Sequence, residues 1–381
     1  MQKKAAVIQD ICCAGKCSLT IALPVLSAAG VSCSILPTAV MSTHTGGFRN
    51  VHGRDLTEDI LAIVRHWKRE GLSFDALYSG YLYSSAQVET VKTAISLLRA
   101  TAMPPLLMVD PAMGDGGTLY RLCTPDMVEK MADLCAQADL IVPNITEAAF
   151  LLGEVYQTPP HTKPYIERLL KGLSKLCKGN IVLTGVALTS SELGCACLEG
   201  QGGAVQYVMG ERKEGAYHGT GDLFASALLG GLLHGRSLEY AIHLAMTLVS
   251  DAIVKTQREN GPEREGVLSL AWPTTQRPWP RCETFVSQRA EPSINAFLSA
   301  LCISVIYPAD IHPKTSAIKH ISAHKKSKKP AKDFEKGPGG IARHTAIQNR
   351  FVWDTEINTV RGPRERESEN KMSLMRIWDG K

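Results

Sequence analysis

Residues 218–222 read His-Gly-Thr-Gly-Asp, and a strongly apolar stretch follows at once. Two glycines let a backbone fold tightly enough to aim several N–H groups at one anion, and the start of the following helix adds positive potential at the same place. A carboxylate closing such a site is unfavourable if the anion is only held. It becomes useful if it takes a proton from a hydroxyl that attacks a phosphate. Asp222 is therefore a candidate general base, and Gly219, Thr220 and Gly221 are a candidate phosphate cradle. The competing reading is that Asp222 simply caps the helix, as aspartate often does.

Further polar groups follow runs that read as strands. Asp110-Pro111-Ala112-Met113-Gly114-Asp115 comes directly after an apolar run, as does Asn144-Ile145-Thr146-Glu147. Carboxylates at neighbouring strand ends can gather a hard divalent cation, with water completing the octahedron that magnesium prefers. Singly, each has a plainer account: a turn at Asp110-Pro111, and a helix cap at Asn144 or Thr146 with Glu147 in the first turn. Gly15-Lys16 invites a phosphate-loop reading that fails, because a Walker loop needs glycine where this chain has Asp10. Gly15 instead turns the chain from a strand into a helix beginning near Ser18, which leaves Asp10 at a strand end facing the cleft. The stretch 37–48 is dense in hydroxyls, carries His44 and ends on a glycine pair, a composition suited to holding a small polar ring. His44 reads equally as a structural donor, and Tyr81 as either cleft wall or packing. The cysteines at 12, 13, 195 and 197 lack metal-ligand spacing and are read as packing residues.

These groups need a scaffold that brings strand ends together. Through about residue 255, short apolar runs alternate with segments of helical period, the pattern of a parallel sheet covered by helices. Strands are expected at 5–10, 32–40, 76–81, 106–110, 139–143 and 181–185, with a weaker pair at 194–199 and 204–209. Helices are expected over 56–67, 88–98, 125–136 and 166–176, and over 222–256 with Ser237 capping the second half. The fold class is α/β, one doubly wound domain over residues 1–272. Beyond Trp272, helix breakers and charge runs predict a mostly disordered extension over 273–381, with one apolar island at 294–307.

Composition supports a globular chain: 381 residues, 44% hydrophobic and 21% charged. No apolar run approaches the roughly 18 residues that a membrane span needs. The eleven cysteines are an odd number without paired spacing, so reduced thiols and a cytoplasmic location are expected. The net charge of +5 is uneven. Residues 273–381 carry 19 basic against 11 acidic groups, leaving −3 for the body. Nucleic-acid binding would rest on that tail alone, and neither nucleic acid nor membrane is expected as a partner.

Taken together, the residues resemble the pyridoxal kinase group of the ribokinase superfamily. The likeness is carried in order by Val7–Asp10, Ser42-Thr43-His44-Thr45, Ser79-Gly80-Tyr81, 110–115, Pro143–Glu147, Leu183-Thr184-Gly185 and 219–222, and it spans about 5–267. It implies a ribokinase-like, mostly parallel sheet with helices on both faces. It also implies transfer of the γ-phosphate of ATP to the 5′-hydroxymethyl group of pyridoxal, pyridoxine or pyridoxamine. Asp222 would deprotonate that hydroxyl, and the amides of 219–222 would stabilise the moving phosphoryl group. Asp110, Asp115 and Glu147 would hold Mg2+, directly or through water. Thr184 and the segment 208–216 would lie beside the nucleotide, while Asp10, Thr45 and Tyr81, with His44 as a secondary candidate, would line the ring pocket. A homodimer and a monovalent cation such as K+ near the nucleotide are implied as well.

Two departures bear on this. Many family members have serine where this chain has Asp10, so ring contacts and vitamer preference differ. The family's ending dissolves after Val267, which makes the tail a non-homologous extension that leaves the last helix of the fold missing. Two other readings stand beside the first: a hydroxymethylpyrimidine kinase, and a catalytically inactive ligand-binding relative.

Overall fold

The computed structural model describes residues 2–267. The expected division at Pro273, the extension and the island at 294–307 lie outside the described residues. Nine strands form one sheet and two form a small hairpin. In chain order the strands are β1 (Lys4–Ala14), β2 (Ser32–Thr43), β3 (Gly53–Asp55), β4 (Ala76–Ser79), β5 (Leu106–Val109), β6 (Gly114–Asp115), β7 (Thr118–Leu119), β8 (Leu140–Ile141), β9 (Asn180–Val186), β10 (Glu192–Leu198) and β11 (Gln206–Glu211). The helices are α1 (Leu19–Ala28), α2 (Thr57–Arg69), α3 (Ser85–Arg99), α4 (Pro125–Cys135), α5 (Ile145–Leu152), α6 (Lys163–Leu176), α7 (Thr220–Leu233) and α8 (Leu238–Arg258), and a 3-10 turn follows at Glu263–Glu265.

The sheet order is β11-β10-β9-β8-β5-β4-β1-β2-β3. The pairs from β9 through to β2 are parallel, while β3 and the β10–β11 pair close the two edges antiparallel. Alternation along β1 explains the two cores. Ala6 and Ile8 face one layer with α2, α3, α4 and α6, while Ala5 and Val7 face the other with α1, α7 and α8. The expected doubly wound α/β fold with helices on both faces is therefore present. On α3, the fully buried Val88 and Val91 recur at helical spacing. Burying each such side chain contributes roughly 1.5–3 kcal/mol. Ser237 caps α8 as expected, its hydroxyl accepting from the Tyr240 N–H at 3.3 Å.

From β1 the chain passes first to β2 on one side and then to β4 on the other. The crevice beyond the carboxyl ends of β1 and β4 is thus the topological switch point, where open α/β sheets bind ligands. The register between β1 and β2 slips between Gln9 and Ile11, at Asp10 itself. β1 and β2 both run several residues past their expected ends. Among the described residues all nine cysteines are free, and no helix is long and apolar enough to cross a membrane.

Candidate active site

The start of α7 is open to an incoming anion. Gly219 precedes it with φ +79°, and a Cβ there would collide with the carbonyl oxygen of Lys16, so both conformation and space demand glycine. No side chain caps this helix end. The first amides of a helix have no carbonyl partner within it, so those of Thr220, Gly221 and Asp222 are available together with the helix dipole. Gly221 is exposed, with nothing within 4 Å of where its Cβ would stand.

Asp222 is the third residue of α7 and does not cap it. Its Oδ2 instead accepts a hydrogen bond from the Ser18 N–H at 2.8 Å, across the cleft from the start of α1. Burial pushes the half-buried carboxyl up to about 7, with Asp10 adding to the rise and the Ser18 N–H opposing it. A carboxylate so poised suits proton abstraction near neutral pH.

Three more carboxyls stand nearby. Asp10 is buried, which raises its pKa, although Ser18 and the Cys12 thiol, at 3.2 Å from Oδ2, favour its charged form; its Oδ1 has no hydrogen-bond partner. Asp110, just past β5, is raised by burial and then by the charge of Asp222. Glu147 is raised by burial and then by Asp110, against the backbone amides it accepts from. Those amides, Met113 N at 3.1 Å and Asn144 N at 2.8 Å, clip the 110–114 loop to α5. Asn144 Oδ1 in turn accepts from Glu147 N at 2.9 Å, a complete capping box. The plainer account of this segment is the one observed: Asn144 caps α5, with Glu147 closing the box. Asp115 is exposed, with Oδ1 accepting from Gly116 N at 2.8 Å in the turn joining β6 to β7. Among the described residues no three His, Cys, Asp or Glu side chains converge as a preformed metal cluster.

His44 is buried, and its Nε2 lies 2.8 Å from the carbonyl oxygen of Arg264. Its ring stands 4.7 Å from that of His218 and 5.1 Å, edge-on, from that of Phe48. Burial, and then His218, lowers its pKa, so it is neutral near pH 7. This geometry makes His44 a tie between the end of β2 and the 3-10 turn. Thr45 follows it, half-buried. Tyr81 is half-buried beyond β4, with its hydroxyl enclosed and unpartnered; burial, then Cys123 and Asp10, keeps the phenol protonated. Thr184 donates its backbone N–H to the Pro143 carbonyl at 2.9 Å, stitching β9 to the start of α5.

Sequence reasoning missed three residues here. Desolvation, and then the charges of Glu147, Asp115, Asp110 and Asp222, push the Tyr120 phenol up. An aromatic just past the Gly116-Gly117 turn was the available signal. The His218 ring lies tilted against that of His44, where a Cβ on Gly46 would collide with it. Ser18, read only as a helix start, supplies the amide that holds Asp222.

Comparison with known proteins identifies the family. The profile of the phosphomethylpyrimidine kinase family matches residues 22–265. A pyridoxal kinase of Pasteurella multocida is 29% identical over 192 residues, covering 50% of this chain and 66% of that protein. A protein of Bacteroides thetaiotaomicron assigned as a phosphomethylpyrimidine kinase, crystallised with pyridoxal, superposes with a TM-score of 0.66 at 33% identity, over 70% of this chain and 93% of its own. The pyridoxal kinase of Lactobacillus plantarum superposes with a TM-score of 0.64 at 35% identity, over 70% and 93%. With the family profile spanning most of the described sheet and its site, the chain belongs to the phosphomethylpyrimidine kinase family and shares the ribokinase-like fold of the solved pyridoxal kinases.

Proposed function

We propose that the chain is an ATP-dependent vitamin B6 kinase of the salvage type, a phosphotransferase acting on the 5′-hydroxymethyl group of pyridoxal, pyridoxine or pyridoxamine. The observation that carries this is a carboxyl held near neutral pKa beside an uncapped helix start. Asp222 takes the hydroxyl proton, the oxygen attacks the γ-phosphorus, and ADP leaves. The amides of 220–222 stabilise the charge spread over the transferring group. Thr184 and the segment 208–216 flank the nucleotide, while Thr45, Tyr81 and His44 bound the ring.

The donor set suits Mg2+: oxygen ligands only, with Asp110 raised by burial and by the charge of Asp222 in a way that a divalent cation reverses. One or two carboxylates, water and phosphate oxygens are enough for this ion. Asp110 would hold it, with Glu147 and Asp115 acting through water, and the bound ion would neutralise phosphate charge. A K+ ion near the nucleotide, a homodimeric assembly and a cytoplasmic location complete the reading, with the kinase in residues 1–272 and a non-homologous extension over 273–381. The unpartnered Asp10 oxygen favours an amine-bearing or protonated ring, so pyridoxamine is expected to be the best of the three vitamers.

The matching family profile also keeps a hydroxymethylpyrimidine substrate in view. A panel of the three vitamers and hydroxymethylpyrimidine, with ATP consumption read in parallel, tests both. Turnover of the pyrimidine alone would refute the B6 assignment.

A further inference from the structure

Thr38 and Gln87 are polar yet wholly buried. Such groups are costly unless paired, so their partners are informative. The Gln87 Oε1 accepts the Tyr83 N–H at 2.9 Å, while its Nε2 donates to the Thr38 carbonyl at 2.8 Å and reaches Asp55 Oδ1 and Thr57 Oγ1, each at 3.0 Å. The amide fits in this orientation alone, because the Tyr83 N–H can only donate and the Thr38 carbonyl can only accept. The Thr38 hydroxyl in turn donates to the Tyr81 carbonyl at 3.2 Å.

These bonds close a cycle around a segment without backbone support. Gly80 still donates its N–H to the Ile8 carbonyl at 3.1 Å, but Tyr81, Leu82 and Tyr83 make no backbone–backbone hydrogen bond among the described residues. Tyr81 is therefore fixed between the bond from Thr38 and the bond to Gln87 two residues on. Its own hydroxyl is enclosed and unpartnered. The far side of the cycle is the slip between β1 and β2, where Asp10 alone stands against Thr38 and Ala39. Irregularities of this kind re-aim side chains beside active sites. The Leu56 N–H also donates to the Thr38 carbonyl, at 3.0 Å, which ties the slip to the end of β3; Gln87 supplies the tie to α3.

We propose that Gln87, acting with Thr38, is a positioning residue for the ring pocket: the side-chain cycle sets Tyr81 and the part of β2 that faces Asp10. Its partners lie on β2, β3, α2 and the segment after β4, none of which forms the start of α7, so ring binding depends on it and nucleotide binding does not. This rests on the B6 kinase reading, and native enzyme run beside the variants separates the two. Native enzyme inactive on every vitamer would sink both, whereas active native enzyme with unaffected variants would sink only this one.

The experiment compares Gln87→Met, Thr38→Val and the double variant with native enzyme in steady-state kinetics, varying pyridoxal and ATP in turn. Each single change removes hydrogen bonds while keeping most of the side chain's shape. KM for pyridoxal is expected to rise about fivefold or more, the scale on which one misplaced hydrogen bond weakens binding. KM for ATP is expected to stay within about twofold, a split that general loosening of the domain would not produce. Breaking the cycle at either point releases the same segment, so the double variant should lie within about twofold of the poorer single one. Thr38→Val keeps the test open should Gln87→Met fold poorly. An unchanged KM for pyridoxal in a folded variant overturns the proposal, as does a parallel rise in KM for ATP, or single effects that multiply in the double variant.

Discussion

Replacing Asp222 by asparagine separates two consequences of one enclosed charge. Burial and Asp10 lift its carboxyl from 3.8 to about 7, against the pull of the Ser18 amide. A base with that pKa is half ionised at neutrality, so kcat/KM of the native enzyme should rise about tenfold per pH unit below pH 7 and level off above it. An ordinary aspartate would put the bend near 4. In Asp222→Asn this limb disappears, and turnover falls by roughly a hundredfold or more. Stability moves the other way. The folded state holds this proton more tightly than the unfolded chain does, so the contribution is fully present below about pH 4 and lost as pH rises through about 7. Each pKa unit is worth about 1.4 kcal/mol, which bounds the penalty for ionising Asp222 at roughly 4 kcal/mol, and partial exposure brings it to about half that. In a domain of this size about 2 kcal/mol corresponds to roughly 4–8 °C. Calorimetry should therefore find Asp222→Asn melting higher than native at about pH 8 and level with it near pH 4, while initial rates of phosphorylated-vitamer formation give the kinetic limb. A flat kcat/KM across that range, or a variant less stable than native at alkaline pH, would refute the reasoning.

Other perturbations give separate outcomes. Gly219→Ala must place a Cβ against the Lys16 carbonyl at positive φ, so a loss of about 2–4 kcal/mol in denaturant unfolding is expected along with lost turnover. Gly221→Ala has open space at that position and is expected to fold normally, while raising KM for ATP by crowding the phosphate. Glu147→Gln keeps one accepting oxygen where Glu147 accepts two backbone N–H groups, so a loss of about 1–3 kcal/mol in stability is expected; with the charge beside Asp110 removed, the Mg2+ concentration for half-maximal rate should also rise several-fold. His44→Ala deletes the contact with the Arg264 carbonyl and should cost about 1–3 kcal/mol, with faster amide exchange at Gly266 and Val267 as the local readout.

The long, regular parts of the fold were legible because periodicity reports them directly. Alternating burial marks β1, and spaced apolar residues mark α3 and α6. The three-residue β3 and the two-residue strands of the β6–β7 hairpin are too short to carry a period. The eight-residue α5 is too short for its period to stand out, although the spacing of Asn144 and Glu147 already admits the capping box that starts it. At the site, glycines and carboxylates at strand ends could be found by type. The meeting of His44, His218 and Arg264 could not, because loop geometry joins residues far apart in the chain, His44 and Arg264 by 220 positions. Likewise the Ser18 amide is invisible to any reading of side chains.

The stitching of the last described segment has a consequence for synthesis. Lys16 N donates to the Glu265 carbonyl at 2.9 Å, Val267 N donates to the His218 carbonyl at 3.1 Å, and Gly266 passes so close to the Lys16 and His218 carbonyls that a Cβ would strike both. The loop after β1 and the approach to α7 are thus fastened by residues that leave the ribosome last among those described. A growing chain can lay down its sheet early, yet it completes its catalytic mouth only when residue 267 has emerged.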